Sequence, residues 1–183
     1  PSASLPQNQP ACLTQSATKL YDCGNWAVSA SWAVPATAVS GIYIARPVQN
    51  DTGGASHIVF VVRNDASTSD LLFQTADETW QAYNTYGGNS LYGDTGWNLN
   101  ARAYKVSYNR PNTSVNFQSW NWLFNGEYPM LRWLEANGYN VTYFTGVDAT
   151  RFGNLIKNHK IYLSVGHDEY WSGPQRVNVE AAR

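Results

Sequence analysis

The sequence predicts an α/β fold, a parallel β-sheet in a three-layer arrangement that follows part of a β-sandwich. Short runs rich in Val, Ile and aromatic residues occupy the first third of the 183 residues, with Pro and Gly between them. A polar segment at 64–69 ends this pattern. Beyond it, apolar strands alternate with helical patterns, which is typical of parallel sheets built with crossovers. We therefore expect a β-rich segment over 1–66 and an α/β domain over 67–183.

Three strands are predicted in the β-rich segment, at 26–34, 41–46 and 57–63. Three strands cannot bury two sheet faces, so we expect them to be the end of a larger, sandwich-like domain. The preceding residues lack periodicity and contain both cysteines, Cys12 and Cys23. In an oxidising compartment this pair would form a disulfide, and two free thiols in a reducing compartment remain the alternative.

The α/β domain has four predicted strands, at 70–74, 104–108, 140–145 and 160–165. Three helices accompany them. The first is capped by Asn125, has apolar positions at helical spacing and ends at Gly138. The second spans about 148–158. The third begins near Ser172 and Pro174 and reaches Arg183 without a stop signal, so we expect the domain to continue beyond this residue.

Composition excludes some classes of protein and favours an extracellular one. Only 14% of the residues are charged and the net charge is −1, which is unlike a nucleic-acid-binding protein. No stretch is apolar enough for insertion into a membrane. Low charge with 8 Trp and 12 Tyr is common in secreted proteins. The chain begins with Pro and has no visible signal peptide, so we expect a processed or excised piece.

The strongest candidate site is the segment 166–172, Gly-His-Asp-Glu-Tyr-Trp-Ser, directly after the last predicted strand. Ligands bind beyond the carboxyl ends of parallel strands, which makes this a favourable place for a site. The alternative is that Asp168 and Glu169 only complement the positive end of the following helix. A second candidate, at 79–92, is rich in Tyr, Asn and Gly and follows the first strand of the same sheet. It could equally be a packed aromatic loop. Arg110 follows the 104–108 segment and could hold a substrate or pair with a carboxylate.

Four motifs together resemble a known family. They are Thr-Trp-Gln-Ala-Tyr-Asn at 79–84, Gly-Gly-Asn-Ser-Leu-Tyr at 87–92, Tyr-Asn-Arg-Pro at 108–111 and Val-Gly-His-Asp-Glu-Tyr-Trp-Ser at 165–172. In this order they are similar to the large (beta) subunit of N,N-dimethylformamidase and its relatives, which are common among predicted secreted bacterial proteins. The resemblance implies a core similar to class I glutamine amidotransferases, with a mononuclear iron (Fe³⁺) in place of a cysteine nucleophile.

The resemblance also implies the site residues. Tyr83, Tyr92 and Glu169 would bind the iron, with Tyr108 as the substitute for Tyr92. His167 would move protons beside the metal, and Asn84 and Arg110 would stabilise the developing oxyanion.

The implied function is that of a secreted, metal-dependent hydrolase. In this reaction a metal-activated water would attack an amide C–N bond of a small amide substrate and hydrolyse it. The alternative is an extracellular carbohydrate-binding or surface-attachment module without catalysis, in which exposed aromatic rings stack on sugars. Neither hypothesis involves nucleic acid, and either is compatible with an oligomer.

Overall fold

The computed structural model describes residues 2–3, 8–114 and 119–183. Its strands are β1 (Ser2–Ala3), β2 (Leu13–Gln15), β3 (Leu20–Asp22), β4 (Ala30–Ser31), β5 (Gly41–Ala45), β6 (Ile58–Val62), β7 (Leu71–Thr75), β8 (Val141–Thr145) and β9 (Ile161–Ser164). Its α-helices are α1 (Asp77–Tyr83), α2 (Leu123–Gly126), α3 (Tyr128–Ala136), α4 (Gly146–Arg151) and α5 (Gly173–Ala182). Short 3₁₀ helices span Leu99–Ala101, Ser119–Asn121 and Gly153–Asn158.

A three-stranded parallel sheet forms the centre of the α/β part, in the order β8-β7-β9. The middle strand, β7, pairs with both neighbours, and its Leu72 lies opposite Thr142 on one side and Tyr162 on the other. All five residues of β7 are buried. A strand buried on both faces is expected to be largely apolar, and its Leu-Leu-Phe run made it recognisable in the sequence. The buried Gln74 and Thr75 that follow are hydrogen-bonded.

The two faces of this sheet pack against different elements, because side chains alternate along β7. Leu71 and Phe73 join Leu134 of α3 on one face, where the β5–β6 hairpin also packs. Leu72 faces the other way, towards α4, α5 and the 3₁₀ helix that contains Ile156. The sheet therefore lies between two covering layers, as predicted.

Before β7, the described strands pair only in twos. β1 pairs with β4, β2 with β3, and β5 with β6, all antiparallel. The predicted strands at 41–46 and 57–63 correspond to β5 and β6. Of the predicted strand at 26–34, only Ala30–Ser31 is extended and paired. The sandwich itself stays a prediction. A disulfide between Cys12 and Cys23 closes the β2–β3 hairpin.

Two local predictions were wrong. Residues 104–108 form no strand. Among the described residues, their backbone pairs with no neighbouring strand and instead makes a single bond to the N-terminal segment, from Tyr104 N–H to the Thr18 carbonyl. Asn125 lies inside α2 and does not cap the next helix, which begins at Tyr128. The first residues of the candidate segment 79–92 belong to α1, a helix that was not predicted.

The remaining helices follow their sequence signals. Gly138, with a positive φ of 73°, follows the end of α3. Ser172 caps α5 through a reciprocal pair of bonds with Gln175. The predicted helical stretch at 148–158 is α4 followed by a 3₁₀ helix. In the part of the chain that the structure describes, no helix has the length and apolarity that crossing a bilayer requires.

Candidate functional site

The segment after β9 turns sharply at Gly166 and brings Glu169 back over the start of α1. Gly166 has a φ of 78°, and a Cβ there would lie 2.8 Å from the Gly126 carbonyl oxygen, so the turn requires glycine. The turn is held by Thr79 of α1, whose Oγ1 accepts bonds from the backbone N–H of Glu169 (2.9 Å) and of Tyr170 (3.1 Å). Glu169 is thereby fixed at the carboxyl edge of the sheet.

Helix α1 begins one residue after β7, so its side chains lie at this same edge. Tyr83 is one turn beyond Thr79 on the same face of α1. Its hydroxyl donates a 2.8 Å hydrogen bond to Glu169 Oε2. The Tyr92 ring stacks on the Tyr83 ring, with centroids 4.3 Å apart and planes inclined by 19°. The structure thus brings together the three side chains that the resemblance assigns to metal binding.

The environment of the two phenols raises their pKa values. For Tyr83 the main cause is burial, with a further increase from the hydrogen bond to Glu169. For Tyr92 burial again comes first, followed by side-chain interactions with Glu169, Tyr170 and Tyr83. Glu169 thus raises the pKa of both phenols, and the Tyr83 hydroxyl is hydrogen-bonded to it. At neutral pH both phenols therefore keep their protons in this arrangement.

His167 lies beside the same carboxylate, with Nε2 3.4 Å from Glu169 Oε2. Its other nitrogen, Nδ1, is 2.6 Å from Asn121 Oδ1. Since an amide oxygen only accepts, Nδ1 carries the hydrogen of this bond. Asn121 is 1% exposed and holds the imidazole in one orientation. Sequence reasoning missed Asn121, because no motif links it to a histidine 46 positions away.

Asp168, the neighbour of Glu169, does not face this site. Its Oδ2 accepts bonds from Ser164 Oγ (2.6 Å), Trp171 Nε1 (2.7 Å) and Gln74 Nε2 (3.2 Å). Asp168 therefore ties the segment to the ends of β7 and β9, while Glu169 is presented to solvent with its side chain 39% exposed.

Arg110 does not reach the candidate site. All five of its N–H groups donate to backbone carbonyls, which belong to Ser107, Tyr86, Asn89, Gln81 and Asn84. A guanidinium has no further donors, so none is left for a substrate. Burial lowers the pKa of Arg110 to about 10. The residue shapes the loop that carries Tyr92.

Asn84 is likewise occupied by structural bonds and is fully buried. Its amide oxygen accepts from Tyr86 N–H and from both Thr113 N–H and Oγ1, and its amide nitrogen donates to Gln81 Oε1 and to the Pro111 carbonyl. The oxyanion-stabilising role expected for Asn84 and Arg110 has no geometric basis here. Both residues position the chain.

Tyr108 belongs to a different group of side chains. Its hydroxyl donates to Asp77 Oδ2 over 2.8 Å, and burial raises its pKa. Of the two candidates for the second tyrosine, the structure therefore places Tyr92 with Tyr83 and Glu169.

Within the described ranges, no group of three or more His, Cys, Asp or Glu side chains could hold a metal ion. The grouping found here is of another kind, since two of its three oxygen donors are phenols. We call Tyr83, Tyr92, Glu169 and His167 the tyrosine–glutamate site.

Comparison with protein families gives a match that covers almost the whole chain. Residues 2–183 match the family described as N,N-dimethylformamidase beta subunit-like, C-terminal. This confirms the resemblance that the four motifs suggested. Among curated proteins, nothing matches the chain at a significant level. The family lends no support to the carbohydrate-binding alternative.

Proposed function

The chain belongs to the N,N-dimethylformamidase beta subunit-like family, and from this premise we propose that it acts as a hydrolase on the C–N bond of a small amide. The observation that carries the proposal is the contact of Tyr83 with both the Glu169 carboxylate and the stacked Tyr92 ring. These residues come from a helix, a loop and a strand end. Packing alone does not call for two phenols to meet at a half-exposed carboxylate.

The donor set at this site fits iron(III). Phenolate and carboxylate oxygens are hard ligands, and a tyrosine also binds the haem iron of catalase. Binding of the ion would release the protons that both phenols keep in its absence. Tyr83, Tyr92 and Glu169 would hold the ion. Bound there, it would supply Lewis acidity towards an amide carbonyl and towards water.

The protein's own contribution to catalysis is proton transfer and positioning. His167 is held by Asn121 at Nδ1, so its Nε2 is free to take a proton from water and to return it to the leaving amine. A proton on Nε2 would face Glu169 Oε2 at a distance of 3.4 Å. General acid–base catalysis of this kind contributes about 10²–10⁴ in rate.

We also propose that the protein is secreted. The Cys12–Cys23 disulfide supports this location, because disulfides persist in oxidising compartments. Low charge and an abundance of Tyr and Trp are compatible with it.

The test is the iron content of the protein purified without chelator, together with its rate of N,N-dimethylformamide hydrolysis. We expect iron, and a visible absorption band from tyrosinate-to-iron charge transfer. E169Q and Y83F should each bind iron at least about tenfold more weakly than the wild type, and each should lose most of the activity.

Two matched substitutions serve as controls. E180Q changes a carboxylate on the exposed face of α5, and Y104F removes the hydroxyl of a tyrosine that is 66% exposed. Both should keep the wild-type iron content. If E169Q also keeps it and hydrolyses the amide at an unchanged rate, the proposed function is wrong.

A further inference from the structure

A cavity of about 840 Å³ lies between the β5–β6 hairpin and α1, away from the tyrosine–glutamate site. We call it the hairpin cavity. Asp77, Trp80 and Gln81 of α1 line it, and their spacing of three and four residues places them on one face of the helix. Thr79 and Tyr83 occupy a different face. Of the residues that the structure describes, none of the four in the tyrosine–glutamate site lines this cavity.

Several aromatic rings form part of the cavity wall. Trp26, Phe60, Trp80 and Trp122 all line the cavity. The Trp80 and Trp122 rings are packed together with centroids 4.9 Å apart. Indole hydrogen bonds hold two of the rings in place, from Trp26 Nε1 to the Pro10 carbonyl and from Trp80 Nε1 to Glu127 Oε1. The walls are therefore rigid and suited to an apolar or cationic ligand.

One carboxylate, that of Asp77, lies in this aromatic wall. Its Oδ1 accepts from Thr75 Oγ1 and from Gly146 N–H, and its Oδ2 accepts from the Tyr108 hydroxyl. These bonds hold the Asp77 carboxylate in one orientation in the wall of the cavity. Burial raises the pKa of Asp77, and a positive charge nearby would oppose that shift.

The basic groups of the cavity do not favour an anion. Arg110 lines it, but all five of its N–H groups are bound to backbone carbonyls, as described above. His57 packs edge-on against Phe124 at the hairpin side. An anionic ligand would be repelled by the Asp77 carboxylate, and Arg110 has no free N–H group to bind it.

From the charge of Asp77 and the tryptophan walls, we propose that the hairpin cavity binds a small organic cation, an amine or ammonium group attached to an apolar body. The cationic group would approach Asp77 Oδ2 and the faces of the surrounding rings, and the apolar body would contact the β6 side of the cavity. This proposal does not depend on the hydrolase function.

The test uses three probes of one shape and different charge: benzylammonium, benzyl alcohol and benzoate. Their binding at pH 7 is measured by tryptophan fluorescence and by isothermal titration calorimetry. We expect benzylammonium to bind at least about tenfold more tightly than either of the others. Equal or tighter binding of benzyl alcohol would overturn the proposal.

Variants locate the binding. D77N should weaken benzylammonium binding by about tenfold, and W26L, at a ring 36% exposed, should weaken it severalfold. W133L removes an exposed tryptophan of α3 that does not line the cavity, and it should leave the affinity unchanged. If D77N fails to fold, W26L still tests the proposal, because an unchanged affinity of W26L for benzylammonium would contradict it. Loss of binding in E169Q would place the amine at the tyrosine–glutamate site, which also contradicts it.

Discussion

The hydroxyl of Tyr83 donates a 2.8 Å hydrogen bond to Glu169 Oε2, across 86 positions of sequence. It joins the end of α1 to the segment that follows β9. The bond depends on the register of β7 and β9, because each residue follows one of these paired strands. It therefore connects the geometry of the sheet to that of the candidate site.

This bond should contribute measurably to stability. In a double-mutant cycle of Y83F, E169Q and the combined variant, we expect a coupling free energy of about 0.5–1.5 kcal/mol, which is typical of a hydrogen bond exposed in part to solvent. Urea unfolding of the four proteins measures it. Strictly additive effects of the two substitutions would show that the two side chains do not interact in solution.

Thr79 should be critical for the turn that carries Glu169. T79V keeps the shape of the side chain but leaves the N–H groups of Glu169 and Tyr170 without their acceptor. Because Thr79 is fully buried, we expect a loss of about 2–4 kcal/mol in the free energy of unfolding. T79S keeps the hydroxyl and should recover most of it. Similar stability of T79V and wild type in denaturant titrations would contradict the geometry of this turn.

Glu78 should make the protein less stable as the pH rises. Burial raises its pKa from 4.5 to about 7, and the nearby charges of Asp77 and Asp168 add to the effect. Between these two values the folded protein keeps a proton that the unfolded chain releases, so stability is full below about pH 4.5 and falls until about pH 7.

The neutral variant E78Q removes this dependence. The free energy of unfolding of E78Q, relative to that of the wild type, should rise by on the order of 1 kcal/mol from pH 4 to pH 8. Partial solvent exposure of Glu78 keeps this change small. Thermal unfolding across this range measures the difference. If the difference in stability between wild type and E78Q is the same at pH 4 and pH 8, Glu78 has an ordinary pKa.

The disulfide should stabilise the N-terminal segment through the entropy of the unfolded chain. Cys12 and Cys23 are 11 positions apart, and closing a loop of this length is worth about 3 kcal/mol. C12A/C23A should unfold at a lower denaturant concentration. A reductant should destabilise the wild type and leave the variant unaffected, and an equal response of both proteins would exclude the disulfide as the cause.

Local patterns in the sequence were sufficient for much of the architecture. The Leu-Leu-Phe run of β7, the strands β8 and β9, the cap at Ser172 and the glycine after α3 each depend on residues only a few positions apart. Such signals act through backbone conformation and hydrophobic periodicity, and they can be read without knowing the partner of each element. The same reasoning failed at 104–108, where contacts with the N-terminal segment replaced the expected strand.

By itself, the sequence determined the parallel strands β7, β8 and β9, the helices that follow them from α3 onward, and the family, because these follow from local periodicity and from contiguous motifs. Only the tertiary structure decided which polar side chains meet. It stacked the Tyr92 ring on that of Tyr83, directed Tyr108 to Asp77, and committed Arg110 to backbone carbonyls. Residues far apart in sequence meet only after the sheet and helices pack, and each bond then depends on register and on the direction of a helix face, which no local pattern encodes.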